Sequence, residues 1–207
     1  MNPAIGTRAE EMARGRLVKR RNAISAALSG SLLIAIDLRF LPPAPSHSRE
    51  ETLIRLGVGL AAGLIYANGF EYVLHRFVLH KGEGFLDMRH ARHHDTAGAA
   101  EEARYVTFAR SPWVAVLVFV LNAIPVFVLE YFLRFGIAAG VFLGFTLYFI
   151  SYEEIHWRIH FGPLPRWMNF ARRHHMLHHG GFAGRYNVFF PLFDWIFERG
   201  EWKRERA

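Results

Sequence analysis

The sequence predicts an all-α integral membrane protein: a helical bundle of about four segments under a cytoplasmic helical cap. Three observations predict it. Hydrophobic residues make up 52% of the 207 positions although 25 Lys and Arg share the chain, so the apolar residues must be gathered into blocks. Four such blocks are separated by polar loops, on the scale needed to cross a hydrocarbon core of about 30 Å. The basic residues are also unevenly divided: six precede the first block, six lie from Arg76 to Arg110, nine follow from Arg158 onward, and four lie elsewhere. This asymmetry puts both termini and the central loop in the cytoplasm.

Each element follows from its own residues. Residues 1–22 are basic and are expected as a cytoplasmic tail, with 23–207 as a single membrane-embedded domain. The run AISAALSGSLLIAIDLRFLPP is apolar up to Asp37 and is stopped by Pro42 and Pro43. Its long preceding region and the lack of a clear small-x-small cleavage site favour an uncleaved anchor over a signal peptide. The second run, about Leu53 to Leu79, ends among Glu71, His75 and Arg76, ionisable groups that are costly in lipid unless they face protein or mark a function. Gly82 and Gly84 then break the helix before a new one carrying His90 to His94. A third run begins at Trp113, with Pro125 expected to kink it, and a fourth near Gly136; both are short for a span. NVFFPLFDWIFERGEWKRERA, with Trp195 and Trp202, reads as an interfacial helix and basic tail.

The chain has no cysteine, which excludes disulfides, Cys-type zinc fingers, thiolate-held iron–sulfur clusters and thiolate-ligated haem. A net charge of +7 is compatible with nucleic acid or an anionic membrane surface, and the placement of the charges favours the membrane and no nucleic acid.

Eleven of the twelve histidines are clustered: His75 and His80 in HRFVLH, His90, His93 and His94 in HARHH, His156 and His160 in HWRIH, and His174, His175, His178 and His179 in HHMLHH. His47 stands alone. Histidines three or four apart share a helix face, which suits ligation of a common metal, and there are enough imidazoles for two metals. Packing alone gives no reason to repeat such pairs four times. His75 and His80, five apart, fall about 140° apart on a regular helix, so either the helix loosens there or the two serve different metals. Imidazole suits Zn, Cu, Fe or Ni alike. A membrane setting favours an alkyl-chain substrate, whose C–H cleavage calls for an oxidising metal, whereas zinc would activate water. Glu71 lies one turn before His75, and Glu153 and Glu154 just before His156. They are candidates to accept the second ring N–H of a ligand, or else to cap or snorkel at the membrane edge.

The ordered motifs HRFVLH, HARHH, HWRIH and HHMLHH, over roughly residues 70–198, resemble the fatty acid hydroxylase superfamily of sterol desaturases, fatty acid 2-hydroxylases and carotenoid hydroxylases. EYVLHRFVLH looks most like the 2-hydroxylase branch. The resemblance implies two iron ions, replaceable by zinc, held by His75, His80, His90, His93, His94, His156, His160, His175, His178 and His179. It also implies dioxygen as co-substrate and oxidation of a membrane lipid, an acyl chain here, by hydroxylation. Lipid or sterol desaturation and carotenoid hydroxylation are the close alternatives, and a zinc-dependent membrane hydrolase is the alternative of another class. No haem or flavin domain is recognisable, so a separate ferredoxin, cytochrome or reductase is expected. The composition points to a bacterial inner membrane. His174 is an extra histidine relative to HxxHH: a surface residue, a donor behind the ligands, or a ligand in a shifted register. Tyr186 and Asp194 match the family's closing NYG and FWD motifs, while Arg185, Asn187 and Glu198 depart from them.

Overall fold

A computed structural model describes residues 6–41, 48–181 and 184–199. They are helical, with no strand among the described residues. The helices are α1 (Arg8–Phe40), α2 (Arg49–Val73), α3 (Phe85–Asp95), α4 (Pro112–Leu133), α5 (Ala138–Phe161), α6 (Asn169–His179) and α7 (Leu192–Phe197). A π-helical turn, Leu74–Leu79, continues α2, and short 3-10 turns lie at Glu102–Arg104 and Arg166–Met168.

Three helical stretches among the described residues are long and apolar enough to cross a membrane: Arg8–Phe40, Arg49–Leu79 and Pro112–Leu133. The fourth expected segment is α5, whose second half carries Glu153, Glu154, His156, Arg158 and His160 and so dilutes its apolar character. α1 begins at Arg8, so most of the stretch expected as a basic tail is helix. α4 runs through Pro125 as one helix. α7 is only six residues long, with Ile196 and Phe197 exposed. Trp202, Pro42, Pro43 and His47 lie outside the described residues.

The chain forms two compact units. One consists of Arg20–Ala67 and Ser111–Ser151. Gly59 and Gly63 of α2 and Gly140 and Gly144 of α5 each form a small-x-x-x-small pair, and the two pairs face each other. A Cβ on Gly140 would sit 2.8 Å from Gly59 Cα, and one on Gly63 would sit 2.9 Å from Val141 Cα. Backbones this close gain packing that larger residues would forbid, the usual device for joining helices in lipid. Glu130, buried near the end of α4, accepts the backbone N–H groups of Gly136, Ile137 and Ala138 at 2.6, 3.1 and 3.2 Å. It thereby caps α5 with an acidic group, as the free N–H donors of a helix start require. Arg134, at φ 51°, ends α4. The Tyr66 hydroxyl donates to Asn122 Oδ1 at 2.6 Å, and Asn122 Nδ2 donates to Val118 O at 2.8 Å, so these polar groups are satisfied within the unit.

The other unit consists of Met1–Lys19, Asn68–Arg110 and Tyr152–Ala207. Its apolar cores are small: Ala103, Val106 and Trp157 with Met12 and Phe161, and Ile159, Ala171 and Val188 with Tyr152, Ile155 and Leu164. Polar clamps supplement them. Arg104 donates to Glu11 Oε1 at 2.7 Å, and Lys19 pairs with Glu154. All ten histidines expected as ligands belong to this unit.

Candidate metal centre

The histidines converge in two adjacent groups. His75, His80, His90, His94 and His178 bring one ring nitrogen each within 4.8 Å of one another, and His93, His160, His175 and His179 do the same. His156 completes the second group, its Nε2 lying 3.2 Å from that of His93 and 3.1 Å from that of His175. The groups adjoin, since the rings of His94 and His179 stack at 4.3 Å.

Helical spacing produces this division. On α3, His90 and His94 are one turn apart and enter the first group, while His93, offset around the helix, enters the second. On α6, His175 and His179 enter the second group and His178 the first. The π turn resolves the spacing of His75 and His80. Hydrogen bonding from i to i+5 places residues five apart nearly over one another, and the two rings stack at 5.1 Å. The helix loosens, and both rings join one group.

The donor set fits a metal. His90 Nε2 lies 3.0, 2.9 and 3.1 Å from the Nε2 atoms of His75, His80 and His94. His175 Nε2 lies 3.1 Å from those of His156, His160 and His179. A ring nitrogen has one proton or one lone pair, so it cannot satisfy three such contacts as hydrogen bonds. A shared cation at the focus satisfies all of them. Five donors in a group exceed the four of a structural zinc site.

Groups behind the rings orient them. His75 Nδ1 donates to the Tyr186 carbonyl, and His160 Nδ1 lies 2.8 Å from Glu102 Oε1. Each contact leaves Nε2 as the free lone pair facing its group. Glu102 was not anticipated, because it follows HARHH in a loop at no telling spacing. Nδ1 of His93, His156, His175 and His179 is buried and meets no acceptor among the described residues.

The other expected residues have distinct places. His174 Nε2 lies 2.9 Å from Asp194 Oδ2, so it is a partner of a buried carboxylate. Asp194 also accepts the backbone N–H groups of Tyr186 and Asn187 at 3.0 and 2.8 Å, which holds the segment whose carbonyl meets His75. Glu71 accepts from Asn187 Nδ2 at 3.1 Å and Val188 N at 2.8 Å and secures the same segment. Glu153 accepts from Phe108 N at 3.1 Å. Glu154 pairs with Lys19 and Arg158 instead of with a histidine.

Burial and neighbouring imidazoles favour the neutral form of seven of these rings. His94 is pushed down to about 4 and His179 to about 3, and His90, His93, His175 and His178 are lowered in the same way. His80 is lowered by burial, with Asp87 opposing. A folded pKa below the ordinary value of about 6.5 means that the unfolded chain binds protons first. The metal-free fold therefore loses stability as pH falls below about 6.5, and that loss is complete once these rings titrate in the folded chain. Protons also compete with metal for the same lone pairs. Bound metal is expected to be as abundant at pH 6 as at pH 8 and to fall steeply between about pH 5 and pH 3. Elemental analysis after dialysis at each pH checks this, and release centred near pH 6.5 would contradict it.

The sequence model of the fatty acid hydroxylase family matches residues 60–199. The chain belongs to the fatty acid hydroxylase family. No curated protein and no solved structure is similar enough to add a relative. The family match begins within α2 and ends after α7, so it encloses every histidine of both groups. Membership of the fatty acid hydroxylase family, the apolar helices and the histidine groups together support a metal-binding oxidoreductase of the membrane.

Proposed function

We propose that this protein is a di-iron, dioxygen-dependent monooxygenase that hydroxylates a lipid acyl chain, with electrons from an external ferredoxin, cytochrome or reductase. The observation that carries the reading is the convergence of ten imidazoles as two adjacent five-donor groups. Two iron ions held by His75, His80, His90, His94 and His178 and by His93, His156, His160, His175 and His179 would supply dioxygen activation and oxidation of a C–H bond. The chain's own contribution is to favour neutral imidazole at His80, His90, His93, His94, His175, His178 and His179 and to fix the orientation of His160 through Glu102 and of His75 through the Tyr186 carbonyl. Leu74, Leu79, Leu86, Val106 and Phe108 add an apolar wall beside His90, His93 and His156 that favours a hydrocarbon over water.

Under labelled dioxygen, with lipid and reductant supplied, the label is expected in a hydroxylated acyl chain. Label only in water, with loss of two hydrogens from the lipid, would replace hydroxylation by desaturation. Turnover without oxygen would defeat both and favour a zinc hydrolase.

The proposed orientation in a bacterial inner membrane places the termini and the histidine segments in the cytoplasm, supported by the Lys and Arg distribution. Reporters fused after Met1, Asp95 and Ala207 are expected to give the same cytoplasmic signal. An external Asp95 would break the assignment.

A further inference from the structure

The first turns of α1 lie outside the residues that match the family, which begin at 60, yet they pack within the unit that holds the histidines. Glu11 is only 2% exposed. A carboxylate so enclosed needs a cation, and Arg104 supplies it in a forked contact, Nε to Oε2 at 3.2 Å and Nη2 to Oε1 at 2.7 Å. Close packing adds to this pair. A Cβ on Gly15 would sit 2.7 Å from Ala103 O and 2.7 Å from Trp157 Cη2, and Met12 packs against the cluster of Ala103, Val106 and Trp157. Glu11, Met12 and Gly15 share one stripe of α1, so a single helix face grips the 102–104 turn and the last turns of α5.

That turn carries the partner of a candidate ligand. Glu102 Oε1, two residues before Arg104, lies 2.8 Å from Nδ1 of His160, and His160 Nε2 faces the second histidine group, 3.1 Å from His175 Nε2. Arg104 N donates to Glu101 O and Tyr105 N to Glu102 O, both at 2.9 Å, so Glu102 and Arg104 belong to one closed turn and move together. Arg89 Nη2 on α3 donates to Arg104 O at 3.0 Å. The backbone of the turn is thus tied to α3 and its Arg104 side chain to α1.

We propose that Glu11 is a positioning residue for the second metal ion: through Arg104 it fixes the turn from which Glu102 orients His160. This rests on the two-metal reading. The effect is selective, because the first group is oriented instead at His75 by the Tyr186 carbonyl, in the segment held by Glu71 and Asp194. Groups that orient a ligand directly are worth about 10–100-fold in metal affinity, so Glu11, one contact further away, is expected to be worth about fivefold.

The test titrates the metal-free full chain in detergent with cobalt(II), read by visible absorption. The wild type is expected to take two ions. Glu11→Gln, which keeps the shape but loses the charge, is expected to bind one of them about fivefold more weakly and the other as before. The weakening should persist in a His178→Ala chain, which keeps the second group, and vanish in a His175→Ala chain, which keeps the first. Glu102→Gln should weaken the same ion by about 10–100-fold, and adding Glu11→Gln to it should cost nothing further, since both act through one contact. Lys19→Met is the control. It breaks the pair with Glu154 two turns further along the same face of α1, and should lower the thermal midpoint without changing either affinity. Unchanged cobalt binding in Glu11→Gln, equal weakening of both ions, full additivity with Glu102→Gln, or the same weakening in Lys19→Met overturns the proposal. If Glu11→Gln fails to fold, Arg104→Lys, which keeps the charge but loses the fork, cuts the same link, and its cobalt titration decides by the same criteria. The two readings fail in different ways. Two ions bound by the wild type with no effect of Glu11 sink this inference alone, whereas a wild type that takes no cobalt sinks the metal-centre reading and this inference with it.

Discussion

A His175→Ala chain is expected to lose about one of two bound metal ions and to fall by at least about 100-fold in oxidation rate, and His178→Ala is expected to do the same by losing the other ion. Even groups that only orient a metal ligand are worth about 10–100-fold, so a ligand itself should cost no less. The two residues are three apart on α6 yet belong to different groups. Elemental analysis of the single and double variants distinguishes this arrangement from one shared site. The double variant should hold almost no metal, while each single variant should keep about half. Two ions retained by either single variant would remove that histidine from the ligand set. Both variants should still extract from membranes as folded protein, since α6 contributes to neither of the faces where α2 meets α5.

The largest stability effect is expected at those faces. A Cβ on Gly140 would meet Leu60 N at 2.8 Å, and one on Gly144 would meet Leu64 N at 2.9 Å. These neighbours are backbone, which cannot swing aside as a side chain can. Overpacking in a core costs about 1–3 kcal/mol, and a rigid backbone contact belongs at or above the top of that range. Gly140→Leu should therefore lower the thermal midpoint in detergent sharply and reduce the monodisperse fraction on size exclusion. Gly57→Leu is the control, because a Cβ there meets nothing within 4 Å. Equal behaviour of the two variants would show that the glycine faces do not hold the helices together.

Much of this architecture was legible in the order of residues, and the exceptions have physical causes. Apolar blocks and paired histidines report local periodicity, so the helices and the ligand candidates could be read from single stretches. The division of the candidate ligands between two groups could not, because it depends on how α3, α5, α6 and the π turn are turned toward a common point. Glu102 was invisible for the same reason: a loop carboxylate meets His160 only after folding. For Glu153 and Glu154 the sequence left two roles open, holding a ring N–H or capping and snorkelling at the membrane edge. Glu153 accepts from Phe108 N–H, and Glu154 pairs with the Lys19 and Arg158 side chains, contacts set by tertiary packing and not by sequence spacing. The glycine pairs on α2 and α5 each show a recognisable spacing, but that the two face each other is a tertiary fact.

The widened turn at Leu74–Leu79 makes this part of the chain sensitive to length more than to composition. Phe77 and Val78 are exposed, so many side chains would serve there while the backbone count stays at five from His75 to His80. Removing or adding one residue would leave every candidate ligand present in the sequence but swing His80 out of register with His75. A substitution tests a side chain here, whereas a single-residue deletion tests the ruler.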